Sequence, residues 1–263
     1  ELLILKKEGK LDNLKALINS GNYYSHTGIG HTRWATHGGV TSENAHPHGN
    51  SEFAVVHNGI IENAQVLKKQ LQAEGFEFKS ETDSEVFLVL VTKFSRETKN
   101  TLQAISRAYQ TIHGNSAFVI IEKTTDKLYA VKRSAPLVAG VNPSTREAFV
   151  SSDPFALIGF APDIYFPEDG VICMGESLPT EAKISFFELD LTPSSRYKAS
   201  TNLMTMDATS KGPYEHYMLK EIHEQPALID KLAAYYIKND GRKILEDLKG
   251  MKPAMWHLTA CGT

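Results

Sequence analysis

Cysteine is scarce in this chain of 263 residues, which carries only Cys173 and Cys261. At most one disulfide can form, so a small secreted disulfide scaffold is excluded and a reducing cytoplasm is the expected setting. Long apolar runs are also missing. The best of them extends only from Val86 to Val91, far short of the ~20 residues that span a bilayer, so no membrane association is expected. Charge of one sign is not concentrated anywhere: Lys+Arg 28 against Asp+Glu 31 leaves −3, and neither end collects a basic block. The electrostatic attraction that drives nucleic-acid binding has no source, and no nucleic-acid partner is expected. Glu1-Leu-Leu-Ile-Leu-Lys-Lys7 has neither a basic start nor a small-residue cleavage site, so it does not read as a signal peptide. No Gly-Lys-Ser/Thr phosphate loop occurs, and Gly28-Ile29-Gly30 is followed by Arg33 where a dinucleotide loop requires its third glycine.

What is present is ordinary globular composition, 41% hydrophobic and 22% charged, enough to bury a core. Leu2–Lys7 has the apolar density of a strand, with no turn or cap ahead of it. Leu11, Leu14, Leu17 and Ile18 repeat at helical spacing before Gly21. Residues 27–36 read as a strand running into a loop, and the stretch to His48 is polar and irregular. Phe53–His57 is a buried-strand pattern broken by Asn58-Gly59, and a helix with Val66, Leu67 and Leu71 on its apolar face follows. Thr82 and Glu85 form the spacing of a capping box, which places Asp83 in the first turn of the helix that begins there. Thr101–Ile112 predicts another helix. Strand patterns then recur over 116–122, 127–132, 137–141, 148–151, 164–166, 171–174 and 184–189. Helices early and strands late predict an α+β fold with antiparallel sheet. Composition shifts at Pro193, and 193–213 reads as a linker. Glu215–Ile237 predicts a helix interrupted or bent at Pro226, Ile244–Leu248 a second helix, and Met255–Ala260 a strand ending in Cys261-Gly262-Thr263.

Several groupings could carry chemistry. Arg33-Trp34-Ala35-Thr36-His37-Gly38-Gly39 combines a guanidinium, an aromatic ring, a hydroxyl, an imidazole and two flexible residues. It can grip a small polar ligand, or it can be a surface loop with an arginine ion pair. His57-Asn58-Gly59 can converge a side-chain amide and a backbone N–H on one oxygen, as an oxyanion hole requires, or it can be a hairpin turn. Asp83 can meet a ligand ammonium or serve only the helix dipole. His37, His46, His48 and His57 cluster in sequence, but their spacings cross irregular backbone and match no metal signature, so no metal is expected. Cys173 lies in an apolar strand pattern and Cys261 two residues from the end, and neither has the surroundings of a nucleophile.

Together, His31-Thr-Arg-Trp-Ala-Thr-His-Gly38, Asn44-Ala-His-Pro-His48, His57-Asn-Gly-Ile-Ile-Glu-Asn63 and Ser80-Glu-Thr-Asp-Ser-Glu85 resemble the class II glutamine amidotransferase domain. Tyr214-Glu-His-Tyr-Met-Leu-Lys-Glu-Ile-His-Glu-Gln-Pro226 and Leu258-Thr-Ala-Cys-Gly-Thr263 resemble the segment joining glutaminase to isomerase, and the isomerase's first strand and loop, in the glutamine:fructose-6-phosphate aminotransferase family. The resemblance implies a four-layer αββα sandwich of the N-terminal nucleophile hydrolase type, followed by a linker and the first elements of a sugar isomerase (SIS) α/β domain. Its boundaries are a glutaminase at 1–192, a linker at 193–213 and the joining segment with the start of the isomerase at 214–263.

The resemblance also implies roles. Arg33 would take the α-carboxylate of L-glutamine or L-glutamate and Asp83 the α-ammonium. Thr36 and His37 would line the same pocket, Trp34 would lie in the loop closing over it, and Asn58 and Gly59 would form the oxyanion hole. The family's nucleophile is an N-terminal cysteine whose own amino group is the base, whereas position 1 is Glu1. The chain therefore reads as a piece of a longer enzyme, catalytically inactive as it stands. That enzyme would use fructose-6-phosphate as acceptor in the isomerase portion, make glucosamine-6-phosphate, require no cofactor and act as a homodimer or higher homo-oligomer. A glutamine-sensing module without catalysis, or an amidotransferase with another acceptor, are the alternatives.

Overall fold

The computed structural model describes residues 2–33, 38–204, 210–238, 241–251 and 255. They fall into two units, Glu1–Met204 and Thr205–Thr263. In the first unit the elements are α1 (Leu11–Asn19), β1 (His48–Gly49), β2 (Phe53–Gly59), α2 (Ala64–Ala73), α3 (Ser84–Thr98), α4 (Thr101–Thr111), β3 (Ser116–Glu122), β4 (Leu128–Arg133), β5 (Val138–Asn142), β6 (Glu147–Ser151), a 3-10 turn at Pro154–Leu157, β7 (Asp163–Tyr165), β8 (Ile172–Ser177), β9 (Ala182–Phe187) and β10 (Ser200–Thr201). The second unit holds α5 (Tyr217–Lys238) and α6 (Arg242–Gly250), which pack on each other.

The strands form two sheets, one ordered β1-β2-β3-β4-β8-β9 and one ordered β10-β7-β5-β6, with every pairing antiparallel. Side chains alternate across a strand, so each strand of the larger sheet feeds two cores. Val55, Phe118, Ile120 and Val131 join Phe87, Leu90, Val91 and Ile105 beneath α2, α3 and α4. Ala117, Ala130 and Cys173 point the other way and meet Leu137, Val150 and Tyr165 of the smaller sheet and its margins. The described layers are thus helices, large sheet and small sheet. The outer face of the small sheet is covered by the 3-10 turn through Leu157 and Ala161.

Long apolar runs explain the deepest elements. Val86 to Val91 are all buried because α3 is covered by the sheet on one side and by α2 and α4 on the other. Several sequence expectations shift. Leu2–Lys7 and residues 27–33 form no strand among the described residues. The apolar face of α2 is Ala64, Leu67 and Leu71, while Val66 is 59% exposed, one position off the buried stripe. α1 buries none of its residues. β2 does not stop at His57: Asn58 and Gly59 stay in register opposite Ala117 and Ser116, which removes the hairpin-turn reading. The polar stretch 193–213 is divided, because Pro193 bridges Phe187, Tyr197 packs between the sheets and β10 pairs with β7. α5 runs continuously through Pro226. The strand expected over Met255–Ala260 and the ending Cys261-Gly262-Thr263 lie outside the described residues, apart from Met255. Among the described residues no helix is long and apolar enough to cross a membrane.

Phe118 is fully buried, stacked on Phe87 at 3.7 Å between ring centroids and on His57 at 4.4 Å. Phe118→Ala is expected to destabilise the unit by about 3–5 kcal/mol in denaturant unfolding, whereas Val66→Ala stays within about 0.5 kcal/mol.

Candidate active site

A cavity of about 830 Å3 opens where the end of β2, the start of α3 and the segment 30–33 meet. Arg33, Asn58, Gly59 and Asp83 all line it, together with His31, His46, His57 and Ser84. Its far wall is apolar, built from Val56, Ala117, Val119, Leu137 and Val150 between the two sheets. Four of the residues singled out in the sequence are therefore brought together from three separate segments. Trp34, Thr36 and His37 lie outside the described residues.

Asp83 is the N-cap residue of α3, one position before the first turn assigned to it from sequence. Its Oδ2 accepts the Ile61 N–H at 2.7 Å, which ties the helix start to the chain leaving β2. The capping box does not form. Thr82 Oγ1 bonds His48 Nε2 at 2.9 Å and Ser80 Oγ at 3.0 Å instead. Glu85 turns back to accept from Ser80 N at 2.7 Å, Ser80 Oγ at 2.7 Å and Lys79 N at 2.9 Å. Three donors on the preceding segment outbid the single N-cap amide that a box would offer.

Gly59 has φ +136°, and a Cβ there would sit 2.7 Å from Ser116 Cα and collide with Asn115 O. Only glycine lets β2 continue this close to β3 at the cavity rim. The Arg33 guanidinium donates from Nη1 to Gly39 O at 2.8 Å and from Nη2 to Gly38 O at 3.2 Å, so two carbonyls hold its fork at the wall.

The imidazoles give the site its electrostatic character. His31 and His46 lie 4.3 Å apart between centroids, and His46 and His48 lie 4.8 Å apart. Burial lowers the basicity of all four histidines here: His31 falls below its usual value, His46 to about 2, and His48 and His57 to about 4. Burial is the largest cause for each, with Arg33 a further positive charge beside His31, His46 and His48. His57 Nδ1 meets Ser84 Oγ at 2.8 Å, while His57 Nε2, His31 Nδ1 and both ring nitrogens of His46 have no partner among the described residues. The sequence reading grouped His37 with these residues and left out His31, whose only signal was its place at the head of the Arg33 motif. It also passed over Asn44 and Glu81, which bond each other across the loop. Among the described residues no three His, Cys, Asp or Glu side chains are arranged to hold a metal ion.

Cys173 is on β8 in the core between the sheets, 1% exposed, and burial pushes its thiol up to about 12. It does not line the cavity and is fully protonated at neutral pH. Cys261 lies outside the described residues. Gly28 and Gly30 have nothing within 4 Å of an added Cβ, so neither is a point of close backbone approach.

Residues 31–158 match the glutamine amidotransferase domain, and this part of the chain belongs to that family. Over nearly its whole length the chain is similar to curated relatives. It is 38% identical over 268 residues to a glutamine–fructose-6-phosphate aminotransferase (isomerizing) of Fusobacterium nucleatum, covering 99% of this chain and 42% of that protein. It is 39% identical over 267 residues to the enzyme of the same name from Aquifex aeolicus, covering 100% of this chain and 43% of that protein. The chain thus spans about two fifths of the length of these relatives. Among solved structures, a glutamine phosphoribosylpyrophosphate amidotransferase from B. subtilis aligns with TM-score 0.46 at 23% identity, over 66% of this chain and 34% of that one, too loosely to bear on the fold.

Depressed histidine basicity has a pH signature. The folded state keeps His48 and His57 neutral down to about pH 4, while the unfolded chain protonates near the ordinary value of 6.5, so folding is penalised as pH falls between those limits. The unfolding free energy should fall by about 3 kcal/mol per imidazole between pH 6.5 and pH 4, and His48→Gln should flatten that slope in parallel denaturant titrations.

Proposed function

We propose that the cavity binds L-glutamine, and L-glutamate after loss of the amide, as a zwitterion. Arg33 takes the α-carboxylate and Asp83 the α-ammonium, while Asn58 and the Gly59 N–H face the amide carbonyl as an oxyanion hole. The observation that carries this reading is that a fixed cation, a fixed anion and the amide end of β2 all line one cavity. A zwitterion is recognised best by one charge of each sign held in rigid backbone. Two carbonyls hold the Arg33 fork, and the Ile61 amide holds the Asp83 carboxylate. Thr36 and His37 complete the pocket in this reading, and Trp34 closes it.

The wider role is an aminotransferase that passes ammonia from glutamine to fructose-6-phosphate, giving glucosamine-6-phosphate. Similarity to the Fusobacterium and Aquifex enzymes supports it, since that similarity continues past residue 158 through the whole second unit. In this reading the first unit is a glutaminase of the N-terminal nucleophile hydrolase type and the second leads into a sugar isomerase domain. Hydrolysis needs a thiolate at the cavity, and Cys173 cannot serve because it is buried and protonated. Among the described residues no thiol reaches the cavity, so in this reading they take up glutamine without cleaving it.

Calorimetric titration of the purified chain tests this. L-Glutamine should bind, Arg33→Ala and Asp83→Asn should each weaken it by about thirtyfold or more, and Asn58→Ala should change it by less than about threefold, because an oxyanion hole acts on the transition state. Glutamine affinity indifferent to Arg33→Ala would overturn the assignment. Glutamate release by the chain, lost in Arg33→Ala, would overturn the account of the chemistry.

A further inference from the structure

The two charges that line the cavity are not held independently. Asn44 is buried, 2% exposed, and its Nδ2 donates both to Gly39 O at 3.1 Å and to Glu81 Oε2 at 3.0 Å. Asn44 Oδ1 accepts the Glu81 N–H at 2.9 Å, and Glu81 Oε2 also accepts the Gly39 N–H at 3.3 Å. These four bonds close a ring between two segments 37 to 42 residues apart in sequence. One side of the ring is the Gly38-Gly39 backbone whose carbonyls hold Arg33, and the other is the residue two positions before Asp83. Gly38 is part of the fit: its φ is +76°, and a Cβ there would lie 2.8 Å from Asn44 Nδ2 and 3.1 Å from Glu81 Oε2. The carboxylate of Glu81 is held below the usual range by the Asn44 and Gly39 hydrogen bonds, so it stays an acceptor throughout neutral pH.

We propose that Asn44 and Glu81 are positioning residues that set the separation between the Arg33 guanidinium and the Asp83 carboxylate, and thereby the length of amino-acid head group the cavity accepts. The inference rests on the zwitterion reading above. Neither residue lines the cavity, so their action passes through the Gly38-Gly39 carbonyls to Arg33, while the Ile61 amide keeps Asp83 in place. A ligand whose ammonium and carboxylate share one carbon fits one separation only. Loosening the ring lets the guanidinium drift, which costs affinity for the carboxylate and leaves the ammonium end untouched.

Three ligands separate the possibilities: L-glutamine, 4-aminobutanamide, which keeps the ammonium and amide without the carboxylate, and L-β-homoglutamine, whose carboxylate is one methylene further away. Glu81→Ala should weaken L-glutamine about tenfold, leave 4-aminobutanamide unchanged, and reduce the preference for L-glutamine over L-β-homoglutamine by about tenfold. Gly38→Ala should reproduce the pattern by pushing Asn44 and Glu81 aside. Equal losses for all three ligands would reduce Glu81 to general support of the fold and overturn the proposal, as would no change for any. Wild-type chain that binds 4-aminobutanamide as tightly as L-glutamine would show that Arg33 holds no carboxylate, and both the zwitterion reading and this proposal would fall.

Discussion

The hydrogen bond from the Ile61 N–H to Asp83 Oδ2, 2.7 Å long, joins the chain leaving β2 to the start of α3. Around it sit the stacked rings of His57, Phe118 and Phe87, which seat the same two elements face to face from the core side. With those contacts made, the end of β2 and the head of α3 cannot move apart. The backbone amide of Gly59 and the carboxylate of Asp83 are then fixed relative to one another before any ligand arrives. A carboxylate that already accepts a backbone N–H has less orientational freedom to lose on binding. The cost of that order is met by the core beneath: Val86, Phe87, Val91, Ile105 and Phe118 are each almost fully buried, which is the strongest anchoring the unit possesses.

Much of this was legible in the residues themselves. The helix over 101–112 and the strands from Ser116 onward fall within one to three residues of their sequence patterns, because strand alternation and the Asn100 cap are local signals. Expectations failed where local and tertiary demands diverge. Thr82 and Glu85 have capping-box spacing, yet His48 and Ser80 supply better partners for both, and neither is visible in a four-residue window. Asn58-Gly59 has the composition of a turn but remains paired with β3, since the positive φ of Gly59 serves a close approach between strands rather than a reversal. Leu2–Lys7 has a strand's apolar density but pairs with no strand among the described residues.

Within the site, the charged and amide groups were identifiable from their motifs, and what the sequence did not reveal was the scaffolding between them. Arg33, Asn58, Gly59 and Asp83 all reach one cavity. Asn44 and Glu81 were hidden because their partnership spans 37 residues and their side chains bond each other and the backbone rather than facing the open space. The histidines were visible as a group, but what holds them neutral well below the ordinary imidazole range is chiefly burial, and burial is a property of packing.

The contact between His57 and Ser84 decides which face of the imidazole the cavity meets. Ser84 has a single hydroxyl proton, and Asp83 Oδ1 at 3.4 Å is positioned to accept it. His57 Nδ1 and Ser84 Oγ, 2.8 Å apart, share one hydrogen bond in which either can donate, and the Nδ1–H tautomer goes with the arrangement in which the hydroxyl proton turns to Asp83. In that arrangement the lone pair is left on Nε2, which has no partner among the described residues. A ligand N–H at the buried wall selects this tautomer and a ligand carbonyl selects the other, so the Asp83–Ser84–His57 contacts let a neutral ring answer either kind of group.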